Sequence, residues 1–280
     1  MNQSKKILDL ENKIEHLNNQ LNLEIEKNKY QENIIFRQSK MAAMGEMLSI
    51  IAHQWKQPLN NVSVLVQEIF FNLKFSNNEN IIDKGLQEEI RNQLNYMSET
   101  ANDFENFFKI DKKKASINLV KILNDNIKLL AIPLRDSNIT VDVKCIENGK
   151  VLKYNEKEFN EKFLITTYIN ELKQVLLNIL SNSKDALILR DTEPNKKTIY
   201  ITLERINEHD RTIIIEDNAG GIRKNKELKR IWEPYFTTKK DGTGIGLHIC
   251  KMIVENNLCG SISSINGDLG LQTTIILRSI

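Results

Sequence analysis

The 280-residue chain carries 39 Lys and Arg against 37 Asp and Glu, a formal charge of +2, so no strong field of either sign marks it for nucleic acid. No run approaches the roughly 20 apolar residues of a membrane span, and no basic-then-apolar signal segment opens the chain, so a soluble protein of two modest domains plus an extension is expected. Three cysteines (Cys145, Cys250, Cys259) and four histidines (His16, His53, His209, His248) are too scattered for a disulfide framework or a metal site, which points to a reducing compartment.

Residues 1–40 read as a polar helix with a coiled-coil seam. Ile7, Leu10, Ile14, Leu17 and Leu21 fall at steps of three and four. Glu24, Asn28 and Gln31 take the next core slots before Ile34 and Ile35 resume the seam. Two readings stand: a solvated helical extension, or a linker whose weak seam can change register.

Residues 41–112 read as an antiparallel helical hairpin. Leu48, Ile51, Trp55, Leu59, Val62, Val66, Ile69 and Leu73 form one apolar stripe, Asn77–Asn80 should be the turn, and a second helix from about Asp83 carries Leu86, Ile90, Leu94, Met97, Phe104, Phe107 and Phe108. Two helices cannot enclose a core, so two copies are expected to pair as a dimeric four-helix bundle, a homodimer.

His53 lies two residues from Ile51 and two from Trp55. At about 100° per residue that puts it on the face away from the stripe, where a core role is excluded. Gln57 is one turn further along the same face. Pro58 removes a backbone donor and clashes with the carbonyl of Gln54, at a cost of roughly 3 kcal/mol inside a helix. An exposed imidazole with a pKa near ~6.5 is mostly neutral at pH 7, and its free nitrogen can attack phosphorus.

Residues 113–280 alternate β-rich stretches (139–145, 198–206, 212–216, 261–265, 273–277) with helical patterns (119–132, 171–189, 245–254), which predicts a two-layer α/β sandwich. The polar stretch 147–163 reads as a long loop. On the helix from Glu171, Leu172, Val175, Leu176, Ile179 and Leu180 form the buried face, while Asn178, Asn182 and Asp185 share a polar stripe. Asp217-Asn218-Ala219-Gly220-Gly221 closes a strand with a glycine turn. Glycines 242, 244 and 246 lead into the last helix, where backbone N–H groups and a helix N-terminus can meet phosphate oxygens. A dinucleotide fingerprint does not fit, because it should open the first strand–helix unit of a doubly wound sheet.

Taken together from about Met41 to the C-terminus, these segments resemble the sensor histidine kinases of two-component signalling. Ala52-His53-Gln54-Trp55-Lys56-Gln57-Pro58-Leu59 is similar to their H-box, the stripe at Asn178–Asp185 to the N-box, Asp217–Gly221 to the G1 box, Trp232–Lys239 to the F-box and Gly242–Leu247 to the G2 box. The resemblance implies an α+β chain: a coiled-coil linker (1–40), a dimerisation and phosphotransfer domain (41–112), and a Bergerat-type ATP-binding domain (113–280). It implies His53 as phosphoacceptor, with Gln54 and Gln57 as catalytic neighbours. Asn182 would be the Mg²⁺ ligand, joined by Asn178. Lys184, Asp185, Asp217, Ala219, Gly221, Phe236, Thr238, Lys239, Gly242, Thr243, Gly244, Ile245, Gly246 and Leu247 would hold ATP, with Asp217 accepting from the adenine amino group. A response regulator acting in trans and a cytoplasmic location, free or as the cytosolic part of a membrane-bound sensor, follow from the same resemblance.

Four departures bear on mechanism. Gln54 stands where an acidic residue is common, and an amide cannot take a proton. Ala219 replaces a usual glycine and Trp232 a usual phenylalanine. Asn178 stands where relatives that hydrolyse ATP have a glutamate, and asparagine cannot deprotonate water. The last favours keeping ATP for a delivered nucleophile. A non-kinase ATPase of the gyrase and heat-shock type, or a phosphatase-dominant or scaffold regulator, are the alternatives.

Overall fold

From Asn2 to Ala43 the sequence contains no glycine or proline, and straight-chain helix formers dominate; helix α1 accordingly spans Asn2–Phe75. Gly45 and Pro58 fall inside it without ending it. The computed structural model describes residues 2–75, 84–107, 113–147, 149–152, 162–190, 197–239 and 242–278, and the chain divides into two compact units, Met1–Ala42 and Ala43–Ile280. In the first unit Leu10, Ile14, Leu17 and Leu21 are exposed along the single chain. No helix among the described residues is long and apolar enough to cross a membrane.

In the second unit the expected stripe is split. Ile51, Pro58 and Leu65 are buried, and Trp55, Val62, Ile69 and Asn72 are half-buried, at alternating steps of four and three. That is a seven-residue repeat, so Pro58 and Leu65 take the inward positions expected for Leu59 and Val66. Leu48, Leu59, Val66 and Phe70 are left exposed. Helix α2 spans Lys84–Phe107 and half-buries Leu86, Ile90, Gln93, Met97 and Ala101, again at steps of three and four. The expected turn at Asn77–Asn80 lies outside the described residues.

The rest of the unit is a two-layer α/β domain. Strand β1 (Ala115–Asn118) leads into α3 (Leu119–Asp136), whose N-cap is Asn118: its side chain accepts from the Val120 N–H at 2.7 Å. Then come β2 (Thr140–Glu147), β3 (Lys150–Leu152), β4 (Leu164–Thr167), α4 (Ile169–Leu189), β5 (Thr198–Arg205), β6 (Asp210–Asp217) and the short α5 (Asn225–Arg230). Helix α6 (Gly246–Met252) runs into a π-helical turn, Ile253–Asn257, and β7 (Ser261–Asn266) and β8 (Leu271–Arg278) finish the fold. The main sheet has the order β3-β2-β5-β6-β8-β7, with β2 and β5 parallel and the other neighbours antiparallel.

Two parts of this domain differ from expectation. Strands β1 and β4 form a separate two-stranded sheet pairing Ile117 with Ile165. The stretch expected as a loop from residue 147 starts instead with a hairpin, in which Ile146 pairs with Val151. The remainder of that stretch, from 153 to 161, lies outside the described residues.

One face of the sheet carries the helices. Ile199, Ile201 and Leu203 of β5, Ile213 and Ile215 of β6, and Ile275 and Leu277 of β8 alternate inward. On the helical side lie Ile122 and Leu130 of α3, Leu172, Val175, Leu176 and Leu180 of α4, Ile249 of α6 and Val254 of the π-helical turn, all buried. The Cys250 thiol, pushed up to about 12 by burial, donates to the Val175 carbonyl at 3.8 Å and ties α6 to α4.

Candidate nucleotide site

Helix α4 turns its apolar face to the sheet, which leaves Asn178, Asn182 and Asp185 half-buried on the opposite edge. Lys239 reaches this edge from the segment after α5. Its Nζ donates to Asn182 Oδ1 at 2.8 Å and to Asp185 Oδ2 at 2.5 Å. Lys184 Nζ lies 3.3 Å from the other Asp185 oxygen. Asn178 Nδ2 is buried with no hydrogen-bond partner, and a Cβ built on Gly246 would stand 4.0 Å from the Asn178 amide. The N-terminal end of α6 and the polar edge of α4 therefore converge.

The second half of the site is the end of β6. Residues alternate, so Asp217 points the same way as Ile213 and Ile215 and is 2% exposed. Its Oδ1 accepts from the Ala219 N–H at 3.0 Å and the Leu271 N–H at 3.4 Å, and Ser183 on α4 also bonds the carboxylate. Burial pushes the carboxyl pKa up, against the opposing pull of these donors and of the Arg190 charge. Gly270 permits the contact: a Cβ there would collide with the Asp217 carbonyl oxygen.

Arg190, the C-cap of α4, clasps the turn that follows. Its Nη1 donates to the Ala219 carbonyl at 2.5 Å and its Nη2 to that of Gly221. Asn266 on β7 braces the far side by bonding both the N–H (2.8 Å) and the carbonyl (2.9 Å) of Ile222. Removing the Arg190 guanidinium would leave two carbonyls without that donor and free the turn from α4.

Between α5 and α6 runs the segment containing Trp232–Lys239. His248 Nδ1 donates to the Trp232 carbonyl at 3.0 Å, and the Arg230 guanidinium covers the Phe236 ring at 4.7 Å. Gly244 sits at φ 67° where a Cβ would meet the Tyr235 carbonyl carbon at 2.5 Å, so the glycine run packs directly on this segment. Thr238 and Thr243 are exposed, Gly242 and Leu247 are half-buried, and Ile245 is buried and can offer a ligand only its backbone.

One edge of α4 thus gathers Asn178, Asn182, Lys184, Asp185 and Lys239, and Asp217, Ala219 and Gly221 lie across the same helix. His53, Gln54 and Gln57 lie on α1, outside the sheet domain; Gln57 is exposed, and the side chains of His53 and Gln54 lie outside the described residues. Sequence reasoning missed Arg190, Ser183, Asn266 and Gly270. Gly270 carried a signal, a Gly-Asp-Leu-Gly turn before a strand; the other three are tertiary contacts with none.

The residues present fit a magnesium nucleotide on two observations: the buried Asn178 Nδ2, a donor with no hydrogen-bond partner that suits a phosphate oxygen, and the lysine ammonium seated as a stand-in cation on the Asn182 and Asp185 oxygens. Residues 167–279, from the end of β4 through β8, match the histidine kinase-, DNA gyrase B- and HSP90-like ATPase family, a class of ATP-binding domain. The chain is 28% identical over 237 residues to the sensor protein TdiS of Thauera aromatica, covering 84% of this chain and 40% of that one. It is 26% identical over 237 residues to sporulation kinase A of Bacillus subtilis, covering 84% and 34%. Among solved structures, the catalytic domain of histidine kinase ThkA is similar at 26% identity and a TM-score of 0.48, over 60% of this chain and 96% of that one. The chain is thus similar to sensor histidine kinases over most of its length, matches the ATPase family over residues 167–279, and spans less than half the length of these two curated relatives.

Proposed function

We propose that the chain is the kinase core of a two-component sensor: it transfers the γ-phosphoryl group of ATP to His53 and then to an aspartate of a separate response regulator. The observation that carries this reading is the extent of the likeness. The 237 residues aligned with each sensor relative are more than the span 167–279 can hold, so the likeness reaches upstream of the ATPase domain. A gyrase- or chaperone-type ATPase would share only the domain. Asn178, in place of a water-activating glutamate, agrees with a site that keeps ATP intact.

In this reading Asp217, fixed by two backbone donors, reads the adenine amino group, and the turn held by Arg190 closes on the ring. Asn182 and Asn178 would hold Mg²⁺, whose charge serves phosphoryl transfer when it is bound. The α6 end and the glycine run offer backbone donors to phosphate oxygens. Gln57, exposed one turn from His53, can orient a water by hydrogen bonding during dephosphorylation of the regulator.

The test is incubation with γ-labelled ATP. Label that is lost in acid and kept in base identifies a phosphohistidine; no label, or acid-stable label, overturns the reading. A second reading, a phosphatase-dominant regulator, rests on Gln54, which takes no proton. It requires label too weak to detect together with accelerated loss of phosphate from a phosphorylated regulator.

The same proposal includes a homodimer through the hairpin. Leu48, Leu59, Val66 and Phe70 share one face of α1, and Leu59 and Phe70 are 51% and 67% exposed on the single chain. Light scattering is expected to give twice the 32.4 kDa of one chain, and Leu59→Glu to shift it towards one. A wild-type mass of one chain would remove the dimer.

A further inference from the structure

The Lys239 contact that fits the site to a cation has a consequence for free metal. Its ammonium occupies the Asn182 amide oxygen and one Asp185 carboxylate oxygen, while Lys184 attends the other Asp185 oxygen. An ammonium and a hard divalent cation seek the same partners, oxygens with full or partial negative charge. They cannot share them, since like charges about 4 Å apart in a half-buried site repel strongly.

Resting on the nucleotide reading above, we infer that Lys239 is a built-in stand-in for the divalent ion. Without nucleotide it fills the oxygens of Asn182 and Asp185 and keeps free metal out. It gives them up only to an ion that arrives with phosphates, whose negative charge offers the ammonium a new partner. With two lysines on one carboxylate, the cluster around Asp185 is net positive and repels a bare cation. Mg²⁺ takes about six oxygens, several of them water, and is usually held through one or two protein groups together with phosphates, so Asn182 does not retain it without nucleotide.

The exchange also bears on the segment that carries Lys239. The Lys239 N–H is held by Thr237 Oγ1 at 3.0 Å, and a Cβ on Gly242 would meet that same oxygen at 2.6 Å. Lys239 therefore anchors the segment around it to α4 through its side chain. Handing the Asn182 oxygen to a metal loosens that anchor when the nucleotide arrives.

The experiment uses the full chain and Mn²⁺ alone as probe, with free Mn²⁺ read by electron paramagnetic resonance. Wild type should bind none at millimolar Mn²⁺ without nucleotide, and should retain Mn²⁺ once a non-hydrolysable ATP analogue is added. Lys239→Met should bind Mn²⁺ without nucleotide at least about tenfold tighter than wild type, since a like charge has been removed. Lys239→Met combined with Asn182→Ala should lose that gain. Lys239→Gln, which keeps a polar end, is the second variant should the methionine not fold, and circular dichroism decides which is read. Equal Mn²⁺ affinity in wild type and the folded variant overturns the stand-in. Wild type that retains no Mn²⁺ even with the analogue overturns instead the nucleotide reading on which it rests.

Discussion

His53→Gln is expected to bring phosphoryl label to background while ATP affinity stays within about twofold of wild type, as for sites without shared partners. The replacement keeps a good helix former in α1. It removes the only nitrogen lone pair at that position able to attack phosphorus, because an amide nitrogen is delocalised and donates only. The separation of effects is the informative part. His53 lies on α1, whereas every nucleotide contact proposed lies between α4 and β8. Filter-retained label and calorimetry with an ATP analogue measure the two quantities on one preparation. Label at wild-type level would show that another residue accepts the phosphoryl group, and a large loss of affinity would place His53 in the nucleotide site.

The second large effect is expected of Asp217→Asn. The amide can still accept from Ala219 and Leu271, but it presents an N–H where adenine presents one too. Loss of a hydrogen bond to a charged group costs about 1.5–3 kcal/mol, or roughly ten- to over a hundredfold in affinity. Stability should move the other way. Burial raises the folded pKa of Asp217, so its contribution is fullest at low pH and is lost as pH rises from the ordinary carboxyl value of about 3.9 through the raised one. Asparagine has no such slope. Above that window the variant should melt no lower than wild type, and its advantage should shrink as pH falls. Thermal melts from pH 4 to 8, with nucleotide titrations at pH 7.5, measure both. Unchanged nucleotide affinity would remove Asp217 from the adenine contact.

The α4 stripe, the glycine turn after β6 and the glycine run before α6 were legible because each rests on a period or on a conformation that few residues adopt. Asn178, Asn182 and Asp185 share an edge simply because a helix repeats every 3.6 residues. What the sequence hid has different causes. The inward register of α1 follows a seven-residue repeat, and with leucine, isoleucine and valine on both sides of the seam the pattern alone does not choose Leu65 over Val66. Strands β1, β3 and β4 are three or four residues long, too short to show alternation. Arg190 reads as an ordinary surface cation until the fold brings the end of α4 against the Ala219–Gly221 turn. Lys239 was legible as a candidate phosphate contact but not as a partner of Asn182, since 57 residues separate them.

The direction in which Asp217 faces is inherited from its strand. It is the last of four buried positions of one parity, Arg211, Ile213, Ile215 and Asp217, and its pairing with Ile199 across β5 fixes the phase. Substituting an outward residue of β6 leaves that parity intact. Losing or gaining one residue between Ile213 and Asp217 does not: it would swing the carboxylate to the opposite face of the sheet and set Glu216 or Asn218 in its place. The count of residues along this strand is therefore as much a part of the proposed adenine site as the aspartate at its end.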